Sequence, residues 1–175
     1  MALQLLYLIA KEEKFMKYNG KRGYSLVEIL ITIAILIILA AIAIPSFQGY
    51  VINTNLKSAA RDLSADFFNC KERAIAESRM YRITFNVGAN NYRIEQCNNT
   101  GSSCNGYTTI TTKTPTTFNA NIQITNAAFG NGSSITFQTR GTANPGSVTL
   151  TNSRGSTAIV RTNITGKPSV QFNIQ

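Results

Sequence analysis

The feature that most constrains this chain is a long uncharged apolar run with one carboxylate at its start. Lys21-Arg22-Gly23-Tyr24-Ser25-Leu26-Val27-Glu28 leads into Ile29–Ile44, which carries no charge, and Pro45 follows. Tyr24–Val27 extend the apolar stretch to about 20 residues, the length needed to cross a hydrocarbon core of ~30 Å. A cleaved secretory signal has a shorter apolar region with a small-residue cut site after it. Ala40-Ala41-Ile42-Ala43 imitates such a site, but the run is too long for that reading and continues into a helical pattern. Glu28 carries the sharper information. A carboxylate inside a membrane helix costs roughly 2–3 kcal/mol at mid-span and less near an end, so it calls for a partner. Two readings stand: a charge at the interface facing headgroups, or a carboxylate pairing with a free amine. Cleavage after Gly23, behind the basic pair, would create that amine on Tyr24, in the same chain or a neighbour.

Beyond Pro45 the helical spacing resumes. Ile52, Leu56, Ala59, Ala60, Leu63, Phe67, Cys70 and Ala74 recur every three or four residues, with Lys57, Arg61, Asp62, Lys71, Glu72 and Glu77 on other faces. Pro45 therefore reads as a kink and not a full break, in one helix from about Tyr24 to Ser78. Its first half is apolar all round and needs lipid or a bundle. Its second half is amphipathic and needs a domain to lie against.

That domain reads as β. Tyr81, Ile83, Phe85 and Val87 alternate with polar residues, Gly88-Ala89-Asn90-Asn91 supplies a turn, and Tyr92–Glu95 resumes the alternation. Further strands are predicted near Asn121–Thr125, Ser134–Gln138, Ser147–Thr151, Ala158–Thr162 and Ser169–Ile174, separated by Gly- and Asn-rich turns. The polar, threonine-rich stretch Asn98–Asn119 is predicted to be a long loop. Cys97 and Cys104 bracket its first residues, and in an oxidising compartment they are expected to form a disulfide contributing about 2 kcal/mol. Cys70, on the apolar stripe, reads as a buried thiol.

Charge is uneven. Residues 1–23 hold five of the 17 basic and two of the eight acidic residues, so a chain starting at Tyr24 carries 12 and 6, net +6 instead of +9. No acidic residue follows Glu95, whereas Lys113, Arg140, Arg154, Arg161 and Lys167 do. A one-sign surface suits nucleic acid or anionic lipid; five charges in about 80 residues is a low density, which better suits a sparsely charged extracellular β domain.

The N-terminal residues resemble the type IV pilin and pseudopilin signature: Gly23 before the cut, Tyr24 as the new first residue where phenylalanine is usual, Glu28 as the fifth and Pro45 as the twenty-second. The resemblance implies cleavage by a prepilin peptidase, N-methylation of Tyr24, and apolar helices bundled in a filament core with Glu28 compensating an adjacent subunit's amine. Met16–Gly23 is a complete short basic leader by itself, so translation is expected either to start at Met16 or to make a longer leader from Met1, removed in both cases. The leader holds its side in the cytoplasm, placing the remainder across the bacterial inner membrane with its head in the periplasm.

Further on, Ile135-Thr136-Phe137, Arg140-Gly141, Val148-Thr149-Leu150, Ile159-Val160 and Gly166-Lys167 resemble the GspH/FimT group of minor pilins and pseudopilins. The expected architecture is α+β, a pilin-like lollipop: leader 1–23, membrane or filament-core helix 24–50, amphipathic spine 51–80, and a β-rich head 81–175 on two small sheets. The resemblance implies a structural subunit of a type IV pilus or a type II secretion pseudopilus, minor more readily than major. Its partners would be other pilin subunits, an inner-membrane assembly platform, and membrane lipid before assembly. Some members are associated with DNA uptake through basic residues near the C-terminus. Here those would be Arg154, Arg161 and Lys167, in a stretch poorer in arginine than the DNA-binding version.

Catalysis finds no support. The chain has no histidine, no Gly-rich phosphate loop and no nucleophile elbow. Without histidine or a Cys-x-x-Cys pair, no metal site is expected, and no cofactor is implied.

Overall fold

In the computed structural model, residues 24–115, 122–130 and 132–175 are described. Gly23 and the leader, including Met16, lie outside the described residues, as do 116–121 of the predicted loop and the start of the next strand. The chain divides into two compact units, with the boundary between Ala43 and Ile44.

Helix α1 runs Leu26–Ala76 and continues through position 45. In its first part Leu26–Ile44 are exposed on every side, and the segment meets the length and hydropathy of a membrane span. Isoleucine is a middling helix former in water, but in lipid a helix is what satisfies each backbone group from within the segment. Thr32 answers its own hydroxyl by donating to the Ile29 carbonyl at 2.8 Å.

In the second unit the predicted stripe becomes the core face. Leu56, Ala59, Ala60, Leu63, Phe67, Cys70 and Ala74 are buried, and Ile52 is half-buried. The helix ends two residues before the predicted position. Glu77 and Ser78 donate backbone hydrogen bonds to Arg73 and Ile75, and Ser78 takes a left-handed φ of 49° that turns the chain into β1.

The strands are β1 (Arg79–Asn86), β2 (Asn91–Thr100), β3 (Tyr107–Lys113), β4 (Gln123–Phe129), β5 (Ser134–Phe137), β6 (Gly146–Thr151), β7 (Thr157–Thr162) and β8 (Pro168–Asn173). They form two four-stranded sheets, ordered β3-β2-β1-β5 and β4-β6-β7-β8, with antiparallel pairing throughout. Alternation sets the faces: Tyr81, Ile83 and Phe85 from the first sheet and Val148, Leu150, Ala158 and Val160 from the second enter one core with the helix stripe. Phe67 stands where the layers meet, edge-on to Phe85 and Phe137 of the first sheet and Phe129 of the second, with centroids 6.0–6.3 Å away.

The predicted loop Asn98–Asn119 is corrected. β2 continues to Thr100, and Tyr107–Lys113 is a full edge strand paired with β2. Threonine is polar, but its β-branched stem favours an extended backbone on a half-exposed edge, so a Thr-rich run is a strand here.

Candidate functional site

At the start of α1, Ser25 takes the N-cap position, its carbonyl accepting from the Ile29 amide at 3.2 Å. Glu28 is then the third helical residue, in the first turn where the helix dipole favours an anion. Ser25 and Glu28 have the spacing of a capping box, but among the described residues no hydrogen bond or ion pair engages the Glu28 carboxylate. It borders a shallow groove lined by Tyr24, Glu28, Ile29 and Thr32.

The head's acids are differently placed. Asp66, buried on the helix, accepts from Tyr92 Oη and Lys113 Nζ, each at 2.7 Å, tying α1 to β2 and β3. Burial, then donation to Asp66, pushes the Tyr92 hydroxyl pKa well above its usual value. Glu95, also buried, accepts from Arg82 Nε at 2.7 Å and Thr84 Oγ1 at 2.8 Å, and the Arg82 guanidinium lies 3.9 Å above the Tyr107 ring. Glu77 accepts from Tyr81 Oη at 2.6 Å, Gln96 at 2.8 Å and Arg73 at 2.9 Å. The bond from Tyr81 and then those to Arg73 hold its carboxyl below the ordinary glutamate value against a desolvation cost. Each carboxylate thus joins one element to another, which is structural work.

Cys97 and Cys104 form a disulfide beside the junction of α1 and β1. Gly101 donates its amide to the Ser78 carbonyl at 2.8 Å, and Arg79 Nη1 reaches the carbonyls of Cys97 and Asn98 at 3.4 and 3.3 Å. The disulfide turn is thereby fixed against the point where helix becomes sheet. Cys70 is a buried thiol; burial, then the nearby Asp66 charge, pushes its pKa up to about 12. Among the described residues no cluster of His, Cys, Asp or Glu has the makings of a metal site.

The three basic residues singled out near the C-terminus do not share one place. Arg161 projects from the outer face of β7 between Ser147 and Ser169. Lys167 lies in the β7–β8 turn, its amide bonded to Asn163 Oδ1 at 2.9 Å. Gly166, with a φ of 68°, packs there against the Gly141 carbonyl and the Lys71 stem, so Lys71 and the turn after Arg140 belong to the same end. Arg154 occupies the β6–β7 turn at the other end of β7, a strand length of roughly 17–20 Å away. Its guanidinium covers Gly49 of α1.

Sequence reasoning missed Asn90. With a φ of 50° it closes the β1–β2 turn, and its amide group donates to the Ile122 carbonyl at 2.9 Å and accepts from the Ile124 amide at 2.8 Å. One side chain thus stitches the first sheet's hairpin to the second sheet. An asparagine in a turn is a common signal with nothing to mark this reach.

An apolar helix with a carboxylate in its first turn, continuing as the core face of two small antiparallel sheets, defines the pilin class of filament subunit. Residues 18–44 match the prokaryotic N-terminal methylation motif, and residues 59–166 match the type II transport protein GspH. The second match covers more than half of the chain, which therefore belongs to the GspH family, whose fold is that of minor pilins and pseudopilins. The fold is similar to Escherichia coli GspH (TM-score 0.56, 16% identity, covering 70% of this chain and 91% of that one). It is also similar to the minor pseudopilin EpsH of the Vibrio cholerae type 2 secretion system (TM-score 0.52, 11% identity, 67% and 94%). Over 61 residues the chain is 39% identical to a fimbrial protein of Pseudomonas aeruginosa, covering 35% of this chain and 39% of that protein. Over 47 residues it is 40% identical to a type IV major alpha-pilin of Moraxella bovis, covering 27% and 30%. The matches thus span well under half the length of these curated relatives.

Proposed function

We propose that the protein is a minor structural subunit of a type IV pilus or type II secretion pseudopilus, made as a membrane-anchored precursor. The observation that carries this is Glu28, unpaired among the described residues at the start of a helix whose first part, to Ile44, is apolar on all sides. A carboxylate there is tolerable in a filament core only with a cation beside it. Prepilin peptidase cleavage between Gly23 and Tyr24, followed by N-methylation of Tyr24, supplies that cation from an adjacent subunit. In this reading residues 1–23 are the removed leader, 24–50 the anchor and later core strut, 51–80 the spine and 81–175 the periplasmic head. Pro45 lets the strut adjust between membrane and filament. The partners are the peptidase, the assembly platform and other pilin subunits.

Glu28→Ala is expected to insert into the inner membrane normally and fail to enter filaments; normal incorporation overturns the reading. Gly23→Ala is expected to leave an uncut precursor, and an N-terminus at Tyr24 in that variant would refute the cut site. Deleting the gene separates the two filaments: loss of protein export marks a pseudopilus, loss of surface fibres a pilus. Copy number per filament tests minor against major.

A second reading, a DNA-contacting minor pilin, is favoured by the acid-free sequence after Glu95 and by Lys71, Arg140, Arg161 and Lys167 near one end of the head. Such binding would weaken steeply with salt. A gel shift with the full chain at low salt tests it, and no shift ends it.

A further inference from the structure

Arg154 has no carboxylate partner among the described residues, yet its place is defined. One terminal guanidinium nitrogen, Nη1, occupies the space a β-carbon at Gly49 would take, and the guanidinium carbon would stand 3.0 Å from that carbon. Gly49 is buried beneath it while the side chain as a whole stays exposed. The same stretch of helix presents Phe47 and Tyr50 to solvent at 67% and 69% exposure. No acidic residue lies between Glu28 and Asp62, whereas Lys57 and Arg61 do. A strongly exposed aromatic pair at the same level of the helix as an uncompensated guanidinium is a poor surface for water alone. It has the composition of a membrane–water interface, where aromatic rings sit at headgroup level and arginine meets phosphate.

Chain connectivity sets the level. Residues 26–44 form a helix of about 28 Å, close to the ~30 Å hydrocarbon thickness. Phe47 and Tyr50 follow within six residues of Ile44, so they emerge in the headgroup layer while the anchor is in lipid. Arg154 is held to the same stretch through Gly49.

We infer that Arg154, with Phe47 and Tyr50, forms a lipid-headgroup contact that seats the head on the periplasmic membrane surface before assembly, with the phosphate of anionic phospholipid as its ligand. The inference rests on the membrane-anchored reading above. It also separates Arg154 from the DNA reading, because duplex DNA would have to reach the membrane-proximal end of β7 to touch it. Each basic residue near an anionic surface contributes roughly five-fold in local binding. Removing Arg154 therefore weakens seating by about that factor without releasing the anchor.

The test uses the full chain in phospholipid vesicles. Ser153→Cys carries a spin label, since Cys70 is buried and Cys97 and Cys104 are bonded to each other. Relaxation by nickel chelated on lipid headgroups is compared for this label and for one at Thr165→Cys in the β7–β8 turn. The expected result is strong relaxation at 153 and little at 165 in phosphatidylcholine doped with phosphatidylglycerol. It should weaken several-fold in pure phosphatidylcholine, in high salt and in Arg154→Glu, with Arg154→Lys retaining most of it. Equal relaxation at 153 and 165, or no change in Arg154→Glu, overturns the inference. Loss of the 153 signal on adding duplex DNA overturns it in favour of nucleic acid. A third label at Leu36→Cys separates the two failures: if it is inaccessible to dissolved oxygen in the bilayer core, the anchored reading itself has failed.

Discussion

Replacing Phe67 with alanine tests whether one side chain holds the helix to both sheets. Phe67 is fully buried, and its ring meets Phe85 on β1, Phe137 on β5 and Phe129 on β4, so both sheets and the helix close on one residue. Removing a buried phenylalanine costs about 3–5 kcal/mol, the transfer free energy plus the cavity left behind. The three edge-on contacts separate ring geometry from bulk. Their centroid distances of 6.0–6.3 Å lie in the outer part of the favourable range, so each contributes about 0.5 kcal/mol beyond area. Phe67→Leu, which keeps most of the volume, should therefore cost about 1.5 kcal/mol, and Phe67→Ala more than twice that. Against a domain stability of roughly 5–15 kcal/mol, the alanine variant loses a large share. Phe68, the next residue, is exposed, so Phe68→Ala should stay within about 0.5 kcal/mol. Urea unfolding of the full chain in detergent, followed by near-ultraviolet circular dichroism, reads these differences, because Tyr81 and Tyr92 report the folded head from inside it. An alanine variant costing under about 1 kcal/mol, or one no worse than Phe68→Ala, would refute the idea that the layers join through this ring. Equal costs for leucine and alanine would refute the ring-geometry part alone.

Cys104→Ser opens a loop with a sequence separation of seven, for which chain entropy gives about 2.5 kcal/mol; the urea midpoint should fall accordingly, and a wild-type midpoint contradicts it. Asn90→Ala loses both bonds across the sheets and places alanine at a positive φ, a cost of about 2–3 kcal/mol; Asn90→Gly, free of the backbone strain, should recover part of it in the same assay. Glu77 titrates below its unfolded value, so the stability it contributes is present above the ordinary glutamate pKa and is lost as pH falls through the lowered one. An NMR titration should show this depression relaxing in Tyr81→Phe, and an unchanged Glu77 titration would rule out the hydroxyl as its main cause. Cys70, with its pKa pushed up to about 12, should resist iodoacetamide in the folded chain near about pH 8 and react once urea is added; rapid native labelling would contradict its burial.

What the sequence makes legible here follows from periodicity, and what it hides follows from side-chain reach. The stripe from Leu56 to Ala74 repeats often enough that only one helix face can be apolar, so its burial follows from spacing alone. β1 and the strands from β5 onward alternate cleanly between turns rich in glycine, and their order along the chain is readable for the same reason. Tyr107–Lys113 fails that test: with threonines on both faces there is no apolar period to detect, and the strand is specified by pairing with β2 instead. Asp66 with Lys113, and Arg154 over Gly49, join positions far apart in sequence through a single long side chain. Neither leaves a local pattern, because a lysine or arginine reads alike whether it faces water or reaches another element. This bears directly on function. Sequence gathers Arg154, Arg161 and Lys167 into one basic stretch, as a polyanion site requires, whereas β7 carries Arg154 to the end of the head that packs on Gly49 and the other two to the opposite end. A phosphate contact at Arg154 and one at Lys167 are therefore separate physical questions, and substituting each alone, under lipid and under DNA, answers them independently.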